Sequence, residues 1–147
     1  MWTVFGQDHL LKRIESTLQA RRQSHAYMLC GPPHVGKMAL ALNLTQALNC
    51  LEGPGVPCGA CNQCTRIANG HHADVRIVTP GYSEEGRSTR TVIGINDIKE
   101  ALRRVSLNPY EGSTSVVIFD SAELMSDEAA NALLKTLEEP PPQVMFL

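Results

Sequence analysis

Apolar positions along this chain switch between short continuous runs and stretches spaced for one face of a helix. Leu11, Ile14 and Leu18 share a helical face between Asp8 and Gln23, with Asp8 placed to cap the first turn. Ala26-Tyr27-Met28-Leu29-Cys30 follows as an unbroken apolar run ending at Gly31-Pro32-Pro33, the pattern of a strand buried on both faces that stops at a loop. Leu40, Leu44, Ala47 and Leu48 then recur at helical spacing directly after that loop. Val75 to Val78 reads as a second short strand. Ile95, Ile98, Leu102 and Val105 form an amphipathic stripe, with Asn96 or Asp97 as cap and Asn108-Pro109 as the stop. Val116 to Phe119 is the clearest strand and ends at Asp120. Ser126 caps a further helix whose first turn holds Asp127 and Glu128; Ala130, Leu133, Leu134 and Leu137 line one face, and Pro140-Pro141-Pro142 forbids continuation. Val144 to Leu147 opens another apolar run.

Alternating strands and helices of this kind predict an α/β fold with a parallel sheet covered on both sides. The 147 residues suit one domain. Because the chain stops inside what reads as a buried strand, Leu147 is expected to be a truncation point before the last core strand. Two stretches lack any apolar period. Pro54 to Cys64, rich in proline, glycine and cysteine, reads as an excursion from the main fold, and Pro80 to Arg90 as a mobile surface loop. No apolar run approaches the roughly 18 residues a membrane span needs, and Met1 to Gln7 lacks the basic and apolar blocks of a secretory signal. The chain therefore reads as cytoplasmic. A formal charge of -2 supplies no overall field for nucleic acid, and Arg21-Arg22 and Arg103-Arg104 read as solvated helix ends.

Gly31-Pro32-Pro33-His34-Val35-Gly36-Lys37 matches the phosphate-binding pattern of glycine, four residues, glycine and lysine. The glycines let successive main-chain amides point inward at a polyphosphate, the following helix presents its positive end, and Lys37 adds a cation. A plain turn is the alternative, and the flanking strand and helix favour the phosphate loop. The next position should carry a hydroxyl to ligate magnesium; it is Met38, whose soft thioether cannot replace a hard oxygen and instead suits packing under the loop. Asp120, at the end of the strongest strand, stands where a second acidic residue would hold magnesium through water. A glutamate would ordinarily follow to orient the attacking water, but Ser121 follows, with Glu123 displaced by two residues. A turn or capping role is the alternative for Asp120.

Four of the five cysteines crowd together: Cys50, Cys58, Cys61 and Cys64 are separated by seven, two and two residues. Two-residue spacing turns neighbouring thiolates toward one ion, and four soft ligands point to a structural zinc. Disulfides and an iron-sulfur cluster are the alternatives. His71 and His72 are near enough to compete as ligands, though adjacent histidines point apart. Cys30, alone in its apolar run, reads as a buried strand residue.

At these residues the chain resembles the AAA+ subunits of the bacterial DNA polymerase clamp loader, of both the delta-prime and the gamma/tau kinds. The resemblance covers essentially the whole chain. It rests on Val4-Phe5-Gly6-Gln7, on His25-Ala26-Tyr27, on the four-cysteine insertion after the loop helix, and on Asn131-Ala132-Leu133-Leu134-Lys135-Thr136-Leu137-Glu138-Glu139-Pro140-Pro141. It implies a P-loop NTPase domain over 1–147, three-layered α/β/α, with a zinc module at 50–72. It also implies a subunit of a hetero-pentameric ring that places a sliding clamp on primed DNA, with Val4 to Gln7 near the adenine. Met38 and Ser121 depart from the family's catalytic pattern. They point to the delta-prime kind, a stator with an eroded ATP and magnesium site, over a gamma/tau motor that would need Glu123. A zinc-dependent nucleic-acid binding module on an idle P-loop scaffold is the further alternative.

Overall fold

Three short parallel strands form the sheet: β1 (Val75–Val78), β2 (Ser115–Phe119) and β3 (Val144–Phe146), side by side in that order. The computed structural model describes residues 1–81 and 91–147, so the surface loop expected up to Arg90 lies, over 82–90, outside the described residues. The helices are α1 (Asp8–Gln19), α2 (Lys37–Asn49), α3 (Asn62–Ala68), α4 (Ile95–Val105) and α5 (Asp127–Glu138).

Successive side chains of a strand point to opposite faces, and here they sort into two cores. Val78, Val117, Val144 and Phe146 pack with Ile98, Ala101 and Val105 of α4 and Ala129 and Leu133 of α5. Val116, Ile118 and Met145 pack with Leu18 of α1 and Ala41, Leu44, Ala47 and Leu48 of α2. The result is three layers, with helices on both faces of the sheet. That is why β2 reads as an uninterrupted apolar run: Val116 and Val117 are fully buried on opposite faces, each stabilising the fold by about 1.5–3 kcal/mol.

Local chemistry sets the element ends. The Ser126 side chain accepts from the Ala129 amide at 3.2 Å, capping α5 as expected. In α4 the expected cap works in reverse: the Gly94 amide donates to Asp97 Oδ2 at 2.8 Å, one half of a capping box. Three expectations need correction. First, α1 ends at Gln19, and Asp8 lies inside its first turn behind Gln7, which makes no side-chain cap. Second, the buried stripe of α5 is Ala129 and Leu133, one residue round from the expected face, leaving Ala130 and Leu134 exposed.

Third, Ala26 to Cys30 is not a regular strand. Only Ala26 bridges β3, where the Phe146 amide donates to the His25 carbonyl at 2.8 Å and the Tyr27 amide to the Phe146 carbonyl at 3.0 Å. The run still prolongs the sheet in parallel past β3, with Tyr27 and Leu29 packed against the core of α1 and α2. Its opposite face is covered only at Ala26, which packs against the core of α4 and α5; Met28 is 84% exposed and Cys30, expected to be buried, is exposed too.

Candidate phosphate loop and metal centre

Residues 31–36 leave the end of that fourth run and curl directly into α2. The curl requires left-handed backbone at His34 (φ 63°) and at Gly36 (φ 90°), and Gly36 is the N-cap of the helix. Glycine reaches that conformation without steric cost, whereas histidine does so only under local constraint. The constraint is visible. Lys37 Nζ donates to the carbonyls of Gly31 at 2.8 Å and Pro32 at 3.0 Å, closing the loop on itself. The first turn of α2 has no acidic residue, so the positive end of the helix dipole faces the loop uncompensated. Met38 turns away and packs against the core shared by α2, β2 and β3.

Because the strands are parallel, their carboxyl ends share one edge of the sheet, where ligands of open α/β sheets bind. Both the 31–37 loop and Asp120 leave from that edge, with β3 between them. Asp120 is exposed, and its amide donates to the Val78 carbonyl at 2.9 Å. Ser121 is left-handed (φ 62°) and starts the single turn Ala122–Leu124, which carries exposed Glu123. Neither carboxylate is ion-paired with Lys37 among the described residues.

The four clustered cysteines converge. Cys50 caps the end of α2, Cys58 lies in the following loop, Cys61 is the N-cap of α3 and Cys64 sits in its first turn. Their sulfurs all lie within 4.8 Å of one another. The Cys58 and Cys64 sulfurs are 3.9 Å apart, close to the ~3.8 Å edge of a tetrahedron with metal–sulfur bonds of about 2.3 Å. All are free thiols. Main-chain amides point at the sulfurs: Cys61 and Ala60 donate to Cys58 Sγ at 3.2 and 3.4 Å, and Cys58 to Cys50 Sγ at 3.4 Å. These donors stabilise a thiolate. The amides of Cys61 and Ala60 bring the Cys58 thiol down to about 6, while burial pushes Cys64 up to about 12. The group can therefore hold a metal ion, and a cation would supply the charge that buried Cys64 lacks as a thiolate.

His71 and His72 stay outside the sulfur group. His71 is exposed; His72 is buried, its Nε2 bonded to Gln63 Oε1 and its Nδ1 accepting from the Asp74 amide at 3.1 Å. Burial lowers its pKa, with Glu111 and Asp74 opposing. His72 belongs to a polar seam, missed from the sequence, that fastens the cysteine insertion to the loop before β2. Arg66 pairs with Glu111, Gln63 Nε2 donates to the Glu111 carbonyl at 2.8 Å, and Asn49 Oδ1 accepts from the Ser113 and Thr114 amides at 2.8 and 3.0 Å. Asp74 accepts three amides, from Tyr110, Glu111 and Gly112, at 2.6–2.8 Å. Burial alone would raise its pKa, but those three bonds outweigh it and hold the carboxyl below its ordinary value.

Comparison with known proteins gives consistent matches. Residues 6–147 match the family described as DNA polymerase III, delta subunit. The chain is 36% identical over 145 residues to the DNA polymerase III subunit tau/gamma of Haemophilus influenzae, covering 98% of this chain and 20% of that protein. It is 37% identical to subunit tau of Escherichia coli, over 98% of this chain and 21% of that one. The DNA polymerase III subunit delta' of Bacillus subtilis is 34% identical over 134 residues, 91% of this chain and 38% of that one. The chain thus spans only 20% to 38% of the length of these curated relatives. The fold is similar to the crystal structure of a DNA polymerase III gamma subunit-related protein from Thermotoga maritima, with a TM-score of 0.61, 24% identity, and coverage of 95% of this chain and 38% of that one. Among the described residues no helix is long and apolar enough to cross a membrane.

Proposed function

Because the chain belongs to the DNA polymerase III delta-subunit family, we propose that it is a clamp-loader subunit of the stator kind, acting in the cytoplasm. Its AAA+ domain spans 1–147, with a zinc module at 50–72. It takes its place in a hetero-pentameric ring that loads the sliding clamp onto primed DNA. Within that ring its own nucleotide site, residues Gly31, Pro32, Pro33, His34, Val35, Gly36, Lys37 and Met38, retains the phosphate cradle and has lost magnesium chemistry.

The observation that carries the stator reading is the direction of Met38. Its thioether carries no oxygen and packs, half-buried, against the core, so the position that should ligate magnesium supplies none, and Ser121 supplies no carboxylate after Asp120. Zinc at Cys50, Cys58, Cys61 and Cys64 is supported by four sulfurs within 4.8 Å of one another, with the Cys58–Cys64 pair at 3.9 Å, near a tetrahedral edge. With all four ligands from the protein no coordination site is left for water, so the ion is structural. The test is ATP turnover by the intact subunit, alone and in its complex: none is expected, and turnover abolished by substituting Lys37 would overturn the stator reading.

One observation favours a gamma/tau-type motor as the second reading: tau and tau/gamma relatives reach 36–37% identity over 98% of the chain. That motor requires Glu123, on its exposed turn, to serve as the base. Glu123→Gln would then abolish turnover in the complex, and an unchanged rate rejects it.

A further inference from the structure

A buried chain of amides runs from the cysteine group to the N-terminal segment. Gln46 Nε2 donates to the Cys64 carbonyl at 2.8 Å, Asn43 Nδ2 donates to Gln46 Oε1 at 3.0 Å, and Asn43 Oδ1 accepts from the Thr3 amide at 2.6 Å and the Thr3 hydroxyl at 3.0 Å. Asn43 and Gln46 are only 4% and 7% exposed, on the α2 helix that also carries the phosphate loop. Each link fixes the next. The Cys64 carbonyl can only accept, so Gln46 must aim its NH2 at it and its oxygen at Asn43, which leaves the Asn43 oxygen for Thr3. Buried amides of this kind are paired because an unpaired one is expensive.

The metal end of the relay is conditional. Helix α3 has seven residues; Gln63 and Arg66 tie one side of it to the loop before β2, and Cys61 and Cys64 anchor its first turn to the metal position. We propose that Asn43 and Gln46 are positioning residues that couple metal occupancy of the cysteine group to the order of the segment Trp2 to Gln7. With the ion bound, Cys64 holds Gln46, Gln46 holds Asn43, and Asn43 holds Thr3. Without it the acceptor at Cys64 moves, both amides reorient, and Thr3 loses its partner. Resting on the nucleotide reading above and on the resemblance that puts Val4 to Gln7 near the adenine, this coupling makes nucleotide affinity metal-dependent, and linkage requires bound nucleotide to tighten metal binding by the same factor.

Trp2, the single tryptophan, is next to the last link and is half-buried, with its Nε1 bonded to Glu15. Its fluorescence therefore reports the segment directly. Adding zinc to the reduced, metal-stripped chain is expected to shift Trp2 emission and raise its anisotropy, and to slow amide exchange at Thr3 to Gln7 by about fivefold or more. In Gln46→Met and, at the exposed end, Thr3→Pro, cobalt should still give the thiolate charge-transfer band while the zinc response of Trp2 disappears. Full Trp2 responses in both variants with metal bound would overturn the coupling. A second titration, with a fluorescent adenine nucleotide, tests the other layer. Zinc should tighten its binding about fivefold in the unsubstituted chain and not in Gln46→Met. Absence of nucleotide binding with an intact Trp2 response would reject the nucleotide reading and leave the coupling standing.

Discussion

Asp74→Asn should cost this fold about 2 kcal/mol at neutral pH, and the cost should vanish in acid. The carboxylate takes the Glu111 and Gly112 amides on Oδ2 and the Tyr110 amide on Oδ1. Hydrogen bonds to a charged acceptor contribute about 1.5–3 kcal/mol each, roughly twice their neutral counterparts. An asparagine oxygen in the Oδ2 position keeps two bonds at neutral strength and turns its NH2 toward the Tyr110 amide, which water then satisfies. Halving two bonds and losing the third sums to about 3–6 kcal/mol, which solvent screening at a half-buried group reduces to about 2 kcal/mol. A carboxyl held below its ordinary value stabilises the fold above the unfolded value of about 3.9 and loses that contribution as pH falls through the folded value. Urea unfolding followed by circular dichroism on the reduced, metal-stripped chain isolates this from metal release. The gap between native and variant should be constant from pH 8 to 5 and close below pH 4. A gap that is under about 0.5 kcal/mol at pH 7, or that persists unchanged at pH 3, would refute the assignment of three charged bonds to Asp74.

Three further outcomes follow from the geometry. Metal analysis should find one zinc per chain and Cys64→Ser should abolish it; because the thiolates are the ligands, a chelator should strip the ion faster as pH falls, and a rate flat with pH would contradict this. Gly112→Ala should destabilise by about 1–3 kcal/mol in thermal melts, since the new Cβ would meet Asn49 Oδ1 at 2.5 Å while that oxygen holds the Ser113 and Thr114 amides; a loss below about 0.5 kcal/mol would mean Asn49 yields easily. Met38→Thr should make nucleotide binding magnesium-dependent, checked by titration with and without the ion, and equal affinities in both would argue that the 31–37 loop does not present phosphate to a metal.

The order of elements was legible because strands buried on both faces read as unbroken apolar runs, and β1, β2 and β3 fall where those runs predict. The same rule misjudged Ala26 to Cys30, since apolarity reports that a run seeks cover but not whether both faces find it. The cysteine group was legible from spacing alone: thiol chemistry and two-residue intervals constrain geometry strongly. The seam that mounts it was not. Asp74, Asn49 and Glu111 are single polar residues at element ends, and their partners lie far along the chain, so no local period announces them. Ala130 and Leu134 failed as core positions because a helical stripe read from four residues is uncertain by one step of rotation, and Ala129 was available to take the place.

Shape and catalysis are separable in the 31–37 loop, so on the proposed reading a degenerate site can keep a phosphate cradle. The curl depends on left-handed Gly36 and His34 and on Lys37 bonding the carbonyls of Gly31 and Pro32. None of those contacts uses Met38, Ser121 or Glu123. Replacing a hydroxyl by methionine after the lysine therefore leaves the main-chain amides where they are, and the longer apolar side chain adds packing to the core beneath. Restoring threonine would reverse that exchange: it would return an oxygen toward the phosphates and withdraw apolar volume from beneath α2, at a cost of about 1–3 kcal/mol. On the proposed stator reading this position supplies stiffness, since the helix that begins here ends at Cys50 of the cysteine group, and a rod fixed at both ends transmits position better than one loosened to admit a magnesium ligand.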